Sequence, residues 1–377
     1  MPPSSSNRVV FLDWLRGLAA VIMLQGHTFD AFASPATRQG SLFIFSQFIG
    51  GEAAAIFLLL TGVTYGLGMN RREHLSPWRR VTSALRRARY LFLLAVLFRV
   101  QNWAFSYPTS SVTDLLKVDV LNLMGVMAAI LAVLALFRGL DRVKWAAGVG
   151  VLVAVFSPVV SSIPKSVFPQ ILQDYLVPSA TMFGVFPWGA YFAFGCAVGS
   201  MVPLVERGGW NRVMQWSALV GFGLIFAGRY FANLPYSIYA ASDFWLDSPA
   251  LVACKLGIAM LLGSCAFLWT EYLSGGWSWL RQLGTTSLFV YWAHIALDYG
   301  RLFERYHQRL DAFTCVIASL AMIAAMVAGS VLFRRIVWSE IPRRISRRWA
   351  GIPSAPAPVY TMEHRGDEVR AAVRERA

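Results

Sequence analysis

Charge is scarce in this chain, and negative charge is the scarcest. Its 377 residues hold 20 Asp and Glu against 34 Lys and Arg, and charged residues make up 14% of the chain while hydrophobic ones make up 56%. Soluble domains carry about a quarter charged residues to solvate their surface, so a water-facing globule is excluded. Apolar runs of about 20 residues recur instead, the length that crosses a bilayer as a helix. Only four cysteines occur (Cys196, Cys254, Cys265, Cys315), all in apolar stretches and without ligand spacing. That excludes a disulfide framework and a zinc site and leaves packing as their expected role, with no metal implied. Also missing are GxxxxGK[ST], HExxH, GxSxG and paired CxxC motifs, which argues against an ATP-driven pump, a zinc protease and a serine-type lipase. No internal repeat or inverted pseudo-symmetry is visible, which counts against a repeat-built transporter.

The net charge of +14 would indicate nucleic acid in a soluble protein. Here the basic residues cluster in short loops and the C-terminal stretch, where they set topology and meet anionic lipid, so no nucleic-acid partner is expected. The chain reads as all-α and polytopic, with ten apolar windows near 9–29, 44–69, 88–106, 117–137, 145–162, 182–204, 213–231, 250–270, 284–300 and 312–333. The 41–69 stretch is long for one span, so Ser41 to Phe48 are expected at the interface or re-entrant, with Gly50-Gly51 allowing a turn. Arginines fill the 70–89 loop, Arg138, Arg142 and Lys144 the next, and Arg334, Arg335, Arg343, Arg344, Arg347 and Arg348 the start of the tail. With an even helix count these fall on one side, cytoplasmic by the positive-inside rule, as do both termini. One loop conflicts with that rule: 301–309, with Arg301, Arg305 and Arg309. Ala31-Phe32-Ala33 resembles a processing site, but Asp13 and Arg16 interrupt the preceding run and many spans follow, so no cleavage is expected. Residues 1–338 read as a membrane domain and 339–377, polar and Pro-bearing, as a disordered basic cytoplasmic tail. The localisation expected is a multi-pass membrane protein of a bacterial inner membrane.

Ionisable residues inside such windows cost several kcal/mol unless paired, hydrated or near an end. In the first window Asp13, Arg16, Ala20, Met23, His27 and Asp30 fall within roughly 60° of one another at 100° per residue. Arg16 lies about 16 Å from His27 along the axis, so the stripe reads as one wall of a polar channel with a basic mouth and a titratable group deeper in. In the ninth window Ser287, Tyr291, His294 and Asp298 share a face, with His294 near mid-bilayer. Each stripe has a bland alternative: for the first, an Asp13–Arg16 pair and His27 at the two interfaces, and for the second, a His294 satisfied by a neighbouring helix, though a mid-bilayer histidine is functional by default. Two such helices together point to chemistry. Glu52, Arg99, Gln101, Asn102, Asp119, Asn122 and Lys255 read as interhelical glue, with Arg99 and Asp119 an ion pair. Gly195 and Gly199 have small-xxx-small spacing and mark close helix packing, which also permits a homodimer.

These residues resemble the transmembrane acyltransferases, most closely the bacterial branch of the heparan-alpha-glucosaminide N-acetyltransferase-like family. The resemblance runs from Arg8 through Asp13-Trp14-Leu15-Arg16-Gly17 to His27, then Ile56-Phe57-Leu58-Leu59-Leu60-Thr61-Gly62-Val63-Thr64, then Asp119-Val120-Leu121-Asn122-Leu123-Met124-Gly125. Phe186-Pro187-Trp188 with Tyr191, Gly195 and Gly199, and Gly284 to His294, complete it in order. It implies transfer of an acyl group, usually acetyl from acetyl-CoA, to a hydroxyl or amine of a glycan-type or other small acceptor at the membrane. It makes His27 the catalytic histidine, and it puts the acetyl-CoA head near Asp13, Arg16 and the basic loop. The large luminal N-terminal region of animal lysosomal members has no counterpart, so heparan sulfate itself is not expected as acceptor.

Acyl transfer needs a base for the acceptor and donors for the developing oxyanion. His27 suits the base role, oriented by Asp30 or by a carboxylate on another helix; alternatively it is transiently acylated. His294 is a further catalytic candidate, and Ser287, Tyr291 and Trp188 are candidate substrate contacts. Arg16, Arg71, Arg72, Arg79 and Arg80 are candidate partners of the anionic CoA head. A transporter or flippase of a glycan- or acyl-linked lipid, and a scaffold whose polar groups only hold helices together, are the competing readings.

Overall fold

Backbone that cannot bond to water in lipid bonds to itself, and an unbroken helix does so within one segment. A computed structural model describes residues 10–340 except 109, 165, 166, 168, 180, 181, 206–208, 274 and 275, with the backbone alone over 337–340. Arg8, Lys165 and residues 341–377, which hold nearly all of the expected tail, lie outside the described residues. Among the described residues the chain is helical without strands, apart from one isolated bridge between Ala33 and Leu310. The α-helices are α1 (Val10–Phe32), α2 (Ser41–Asn70), α3 (Pro77–Ser106), α4 (Val120–Ile130), α5 (Gly139–Ser161), α6 (Gln170–Leu176), α7 (Val185–Met201), α8 (Trp210–Ala232), α9 (Pro249–Leu268), α10 (Trp279–Thr285), α11 (Ser287–Asp298) and α12 (Ala312–Glu340). Among the described residues six helical stretches are long and apolar enough to cross a membrane: Ser41–Asn70, Val112–Leu136, Gly139–Ser161, Val185–Leu204, Pro249–Leu273 and Ala312–Ile336. The chain is therefore a multi-pass membrane protein.

Two local expectations are corrected. Residues 41–48 do not re-enter: α2 is one helix of 30 residues, about 45 Å long, longer than a bilayer core, so an interfacial position for its first turns is consistent with it. Gly50-Gly51 does not break it, because Gly50 backs onto Gly26 of α1 and Gly51 faces the Lys255 ammonium. The ninth window is not one helix either. Thr286 leaves the helical conformation, and α10 ends and α11 begins on either side of it.

α1 packs against α2, α9, α10, α11 and α12, which places it inside the bundle. Missing side chains make the closest approaches. A Cβ on Gly17 would lie 1.8 Å from the Leu280 carbonyl oxygen, and one on Gly284 1.8 Å from that of Asp13, so α1 and α10 touch backbone to backbone. α2 and α7 are joined the same way: a Cβ on Gly195 would sit 2.0 Å from the Leu59 oxygen and one on Gly199 2.1 Å from the Val63 oxygen. Close packing of small residues is what the spacing of Gly195 and Gly199 implied.

Candidate active site

The last two turns of α1 carry His27, Thr28 and Asp30, and the last three turns of α11 carry Tyr291, His294 and Asp298. Because α11 lies alongside α1 and runs in the same direction, the two polar stripes meet. His27 Nδ1 lies 2.8 Å from His294 Nε2, and the ring planes are 8° apart. His294 is fully buried, and its Nδ1 is 2.7 Å from the Val290 carbonyl oxygen. A carbonyl only accepts, so this nitrogen carries the hydrogen. In the neutral pair His294 Nε2 then accepts, His27 Nδ1–H donates, and His27 Nε2 keeps a lone pair that no described residue occupies. One backbone carbonyl thereby selects the tautomers of both rings.

Carboxylates frame the pair without touching it. Asp298 is fully buried and accepts from the Thr28 hydroxyl at 3.3 Å, while its Oδ2 has no partner among the described residues. Asp30 accepts from the Tyr299 hydroxyl at 2.8 Å and faces Arg38 Nη1 at 3.4 Å. Asp30 was expected beside the His27 ring; the geometry gives that place to His294. Tyr299, whose ring meets His27 edge-on at 5.9 Å, was not singled out in the sequence, although it directly follows the Asp298 of the stripe. The mouth is fastened by backbone bonds: Gln308 N–H donates to the Ala31 oxygen at 3.1 Å, Leu310 N–H to Phe32 at 2.9 Å, and Ser34 N–H to Leu310 at 2.9 Å.

Two further clusters lie around this centre. Tyr291 packs 4.7 Å from Phe98 and 6.0 Å from the His294 ring, centroid to centroid. Next to Phe98, Arg99 pairs with Asp119 at 3.1 Å, as the sequence implied. Asp119 also caps α4 through the Asn122 N–H at 2.9 Å, and Asn122 accepts from the Tyr175 hydroxyl. In the other cluster Lys255 pairs with Glu52 at 3.2 Å, donates to the Gly51 carbonyl at 2.7 Å, and lies 5.8 Å from the Trp188 ring centroid. Trp188 thus shields a buried ammonium. Ser287 is not brought to the histidines; seven residues separate it from His294, about 10 Å along α11. The described residues contain no group of three or more His, Cys, Asp or Glu arranged to hold a metal.

Residues 8–240, from the start of α1 to beyond α8, match the family model described as heparan-alpha-glucosaminide N-acetyltransferase, catalytic. The chain belongs to that family. It is therefore a membrane protein of an acetyltransferase family; His27, Glu52, Arg99 and Asp119 fall within the matched region, while Lys255, Tyr291 and His294 lie beyond it. No curated protein matches the chain.

In this family member the opposite end of α1 is the basic one. Arg16 Nη1 bonds Asp13 at 3.1 Å. Arg71 and Arg79 are exposed, and Arg72 is half-buried with Nη1 on the Gly68 carbonyl at 2.8 Å. Burial, with Arg71, Arg86 and Arg87 close by, holds the Arg72 guanidinium below its ordinary pKa, the condition an anion relieves. Arg80 turns inward to the Leu136 carbonyl at 3.3 Å, leaving its Nε and Nη1 buried and unpartnered among the described residues. Arg142, read from sequence as part of the 138–144 loop, lies instead in the first turn of α5 and is fully buried, on Ser200, Asn70 and Glu73. Glu73, an isolated acid in a loop of arginines, was the signal for that pairing.

Proposed function

We propose that the protein moves an acyl group, acetyl in the first instance, from acyl-CoA to a hydroxyl or amine of a glycan-type acceptor, with His27 as general base. The observation that carries this reading is the His27–His294 pair. A base must present an unprotonated nitrogen, and the Val290 carbonyl acting through His294 leaves that nitrogen at His27 Nε2. From there His27 takes the acceptor's proton as its oxygen or nitrogen attacks the thioester carbon and the C–S bond breaks. A transient acyl-His27 is the variant of the same scheme.

The donor set at the basic end suits a polyanionic head: Arg72 is crowded by cations, Arg80 has two unpartnered nitrogens, and Arg16, Arg71 and Arg79 lie on neighbouring segments. Acyl-CoA would supply the activated thioester, its head held there by charge-assisted hydrogen bonds. Tyr291, 6.0 Å from the His294 ring, and Trp188, beside the Lys255 ammonium, are the acceptor contacts of this reading. In this reading the chain makes ten crossings, counting α1, α3, α8 and the α10–α11 pair with the six apolar stretches. Both termini and the basic loops are then cytoplasmic, in a bacterial inner membrane.

The test is release of free CoA from radiolabelled acetyl-CoA by detergent-solubilised protein, with label followed onto protein, lipid and glycan. His27→Ala should lower turnover by about 10²-fold or more while helicity and thermal unfolding stay near wild type. Turnover within about tenfold of wild type would remove His27 from the base role, and an acceptor moved but unmodified would turn the reading to transport.

A further inference from the structure

Where α10 and α12 converge at the basic end, a cleft of about 420 Å³ is lined by Trp277, Gln282, Val331, Arg334 and Arg335. Nothing in the proposed transfer uses it: none of its lining residues is among the groups assigned to acyl donor or acceptor. Its floor is built rather than incidental. Gln282 is buried, donates through Nε2 to the Ser330 carbonyl at 3.0 Å, and with Oε1 accepts from Arg334 Nη1 at 3.2 Å. One guanidinium nitrogen is thereby tethered, which fixes Arg334 in the lining of the cleft. Among the described residues Arg334 and Arg335 form no ion pair with a carboxylate, so two cationic groups share one wall without a counter-charge. The exposed indole of Trp277 and the side chain of Val331 complete the lining.

We propose that this cleft binds the phosphate of an anionic lipid headgroup. A phosphodiester offers oxygens to two guanidinium groups in the geometry arginine recognises best. An indole beside it suits the amphipathic headgroup layer, and Val331 offers an apolar start for the acyl chains. Basic pockets between membrane helices on the positively charged side are suited to such headgroups. A soluble phosphate would explain the arginines but gains nothing from the indole and the valine. The occupied cleft would also brace α10, whose backbone touches α1 at Gly17 and Asp13.

The experiment counts lipids retained by the detergent-purified full chain in native mass spectrometry and follows thermal unfolding, during titration with phosphatidylglycerol, phosphatidylcholine or inorganic phosphate. Phosphatidylglycerol should bind and stabilise, phosphatidylcholine should not, and the Arg334→Gln/Arg335→Gln double variant should lose about thirtyfold in affinity, near fivefold per cation. Arg301→Gln/Arg305→Gln, at the other end, should bind like wild type. Equal binding of both lipids, or equal loss in both variants, would overturn the site. Inorganic phosphate competing as well as the lipid would overturn the lipid as its source. Should the double variant fail to fold, a diazirine-bearing phosphatidylglycerol on wild type decides: label within 277–282 and 331–335 supports the site, and label only elsewhere overturns it. None of these readouts depends on turnover.

Discussion

The His27 imidazole is held by another imidazole rather than by the carboxylate expected, and this makes His294 a positioning residue in the proposed scheme. Loss of its ring frees His27 to adopt either tautomer. His294→Asn should therefore lower kcat by about 10²-fold with KM for the acceptor nearly unchanged, and should displace the acidic limb of the kcat/KM profile. A parallel rise in KM with an unmoved profile would reduce His294 to a packing residue. Both histidines were legible as stripe members, because spacing alone places them on faces; their meeting was not, since 267 residues separate them. Arg99 with Asp119 was legible because adjacent helices bring buried opposite charges together. Glu52 with Lys255 was not, although each was seen to be buried. That pair yields a second prediction. Lys255→Met leaves Glu52 buried without its cation and should cost about 3–5 kcal/mol, much of it recovered when Glu52→Leu is added. Denaturant or thermal unfolding of the single and double variants checks this, and equal losses would contradict it.

Among the elements, the α2–α7 contact shows how far small residues set the architecture. Hydropathy located both helices but says nothing of which neighbour each would touch; only Gly195 and Gly199 hinted at a close partner. The two breaks misjudged from sequence have a common cause. Gly50-Gly51 read as a turn because glycine is a helix breaker in water, whereas in the bundle each glycine admits a neighbour. The Thr286 break read as continuous helix because an apolar run hides it. Close approach predicts sharp position dependence. Gly195→Leu, with the Leu59 carbonyl 2.0 Å from its new Cβ, should lower stability by at least about 3 kcal/mol or prevent folding. Gly223→Leu on α8, where nothing lies within 4 Å, should be neutral. Comparable losses at the two positions would show that glycine's backbone, not its missing side chain, is what matters.

At the level of the whole molecule, the histidine pair occupies one end of the bundle and the arginine-rich loop the other, so acyl donor and acceptor would approach from opposite faces. Orientation then decides which compartment each comes from. With single cysteines at Arg79 or Arg305 in an otherwise cysteine-free chain, a membrane-impermeant thiol reagent on intact cells should label the Arg305 site directly and the Arg79 site only after permeabilisation. The reverse pattern would place the basic end outside. Helix content and membrane character were legible because composition and run length report them directly. The pairing of clusters was not, because it depends on which helices adjoin.

The backbone clasp that fastens residues 31–34 to 308–310 has a consequence for how the protein is made. A ribosome delivers α1 first, with His27 already in place, yet the segment that locks its far end and the ring that sets its tautomer arrive only with the last quarter of the chain. Until α11 and the segment leading into α12 have been inserted, a nascent molecule would hold its proposed base in a half-built mouth. It could then acylate nothing, and a chain truncated before residue 294 would be silent however well α1 to α10 had folded.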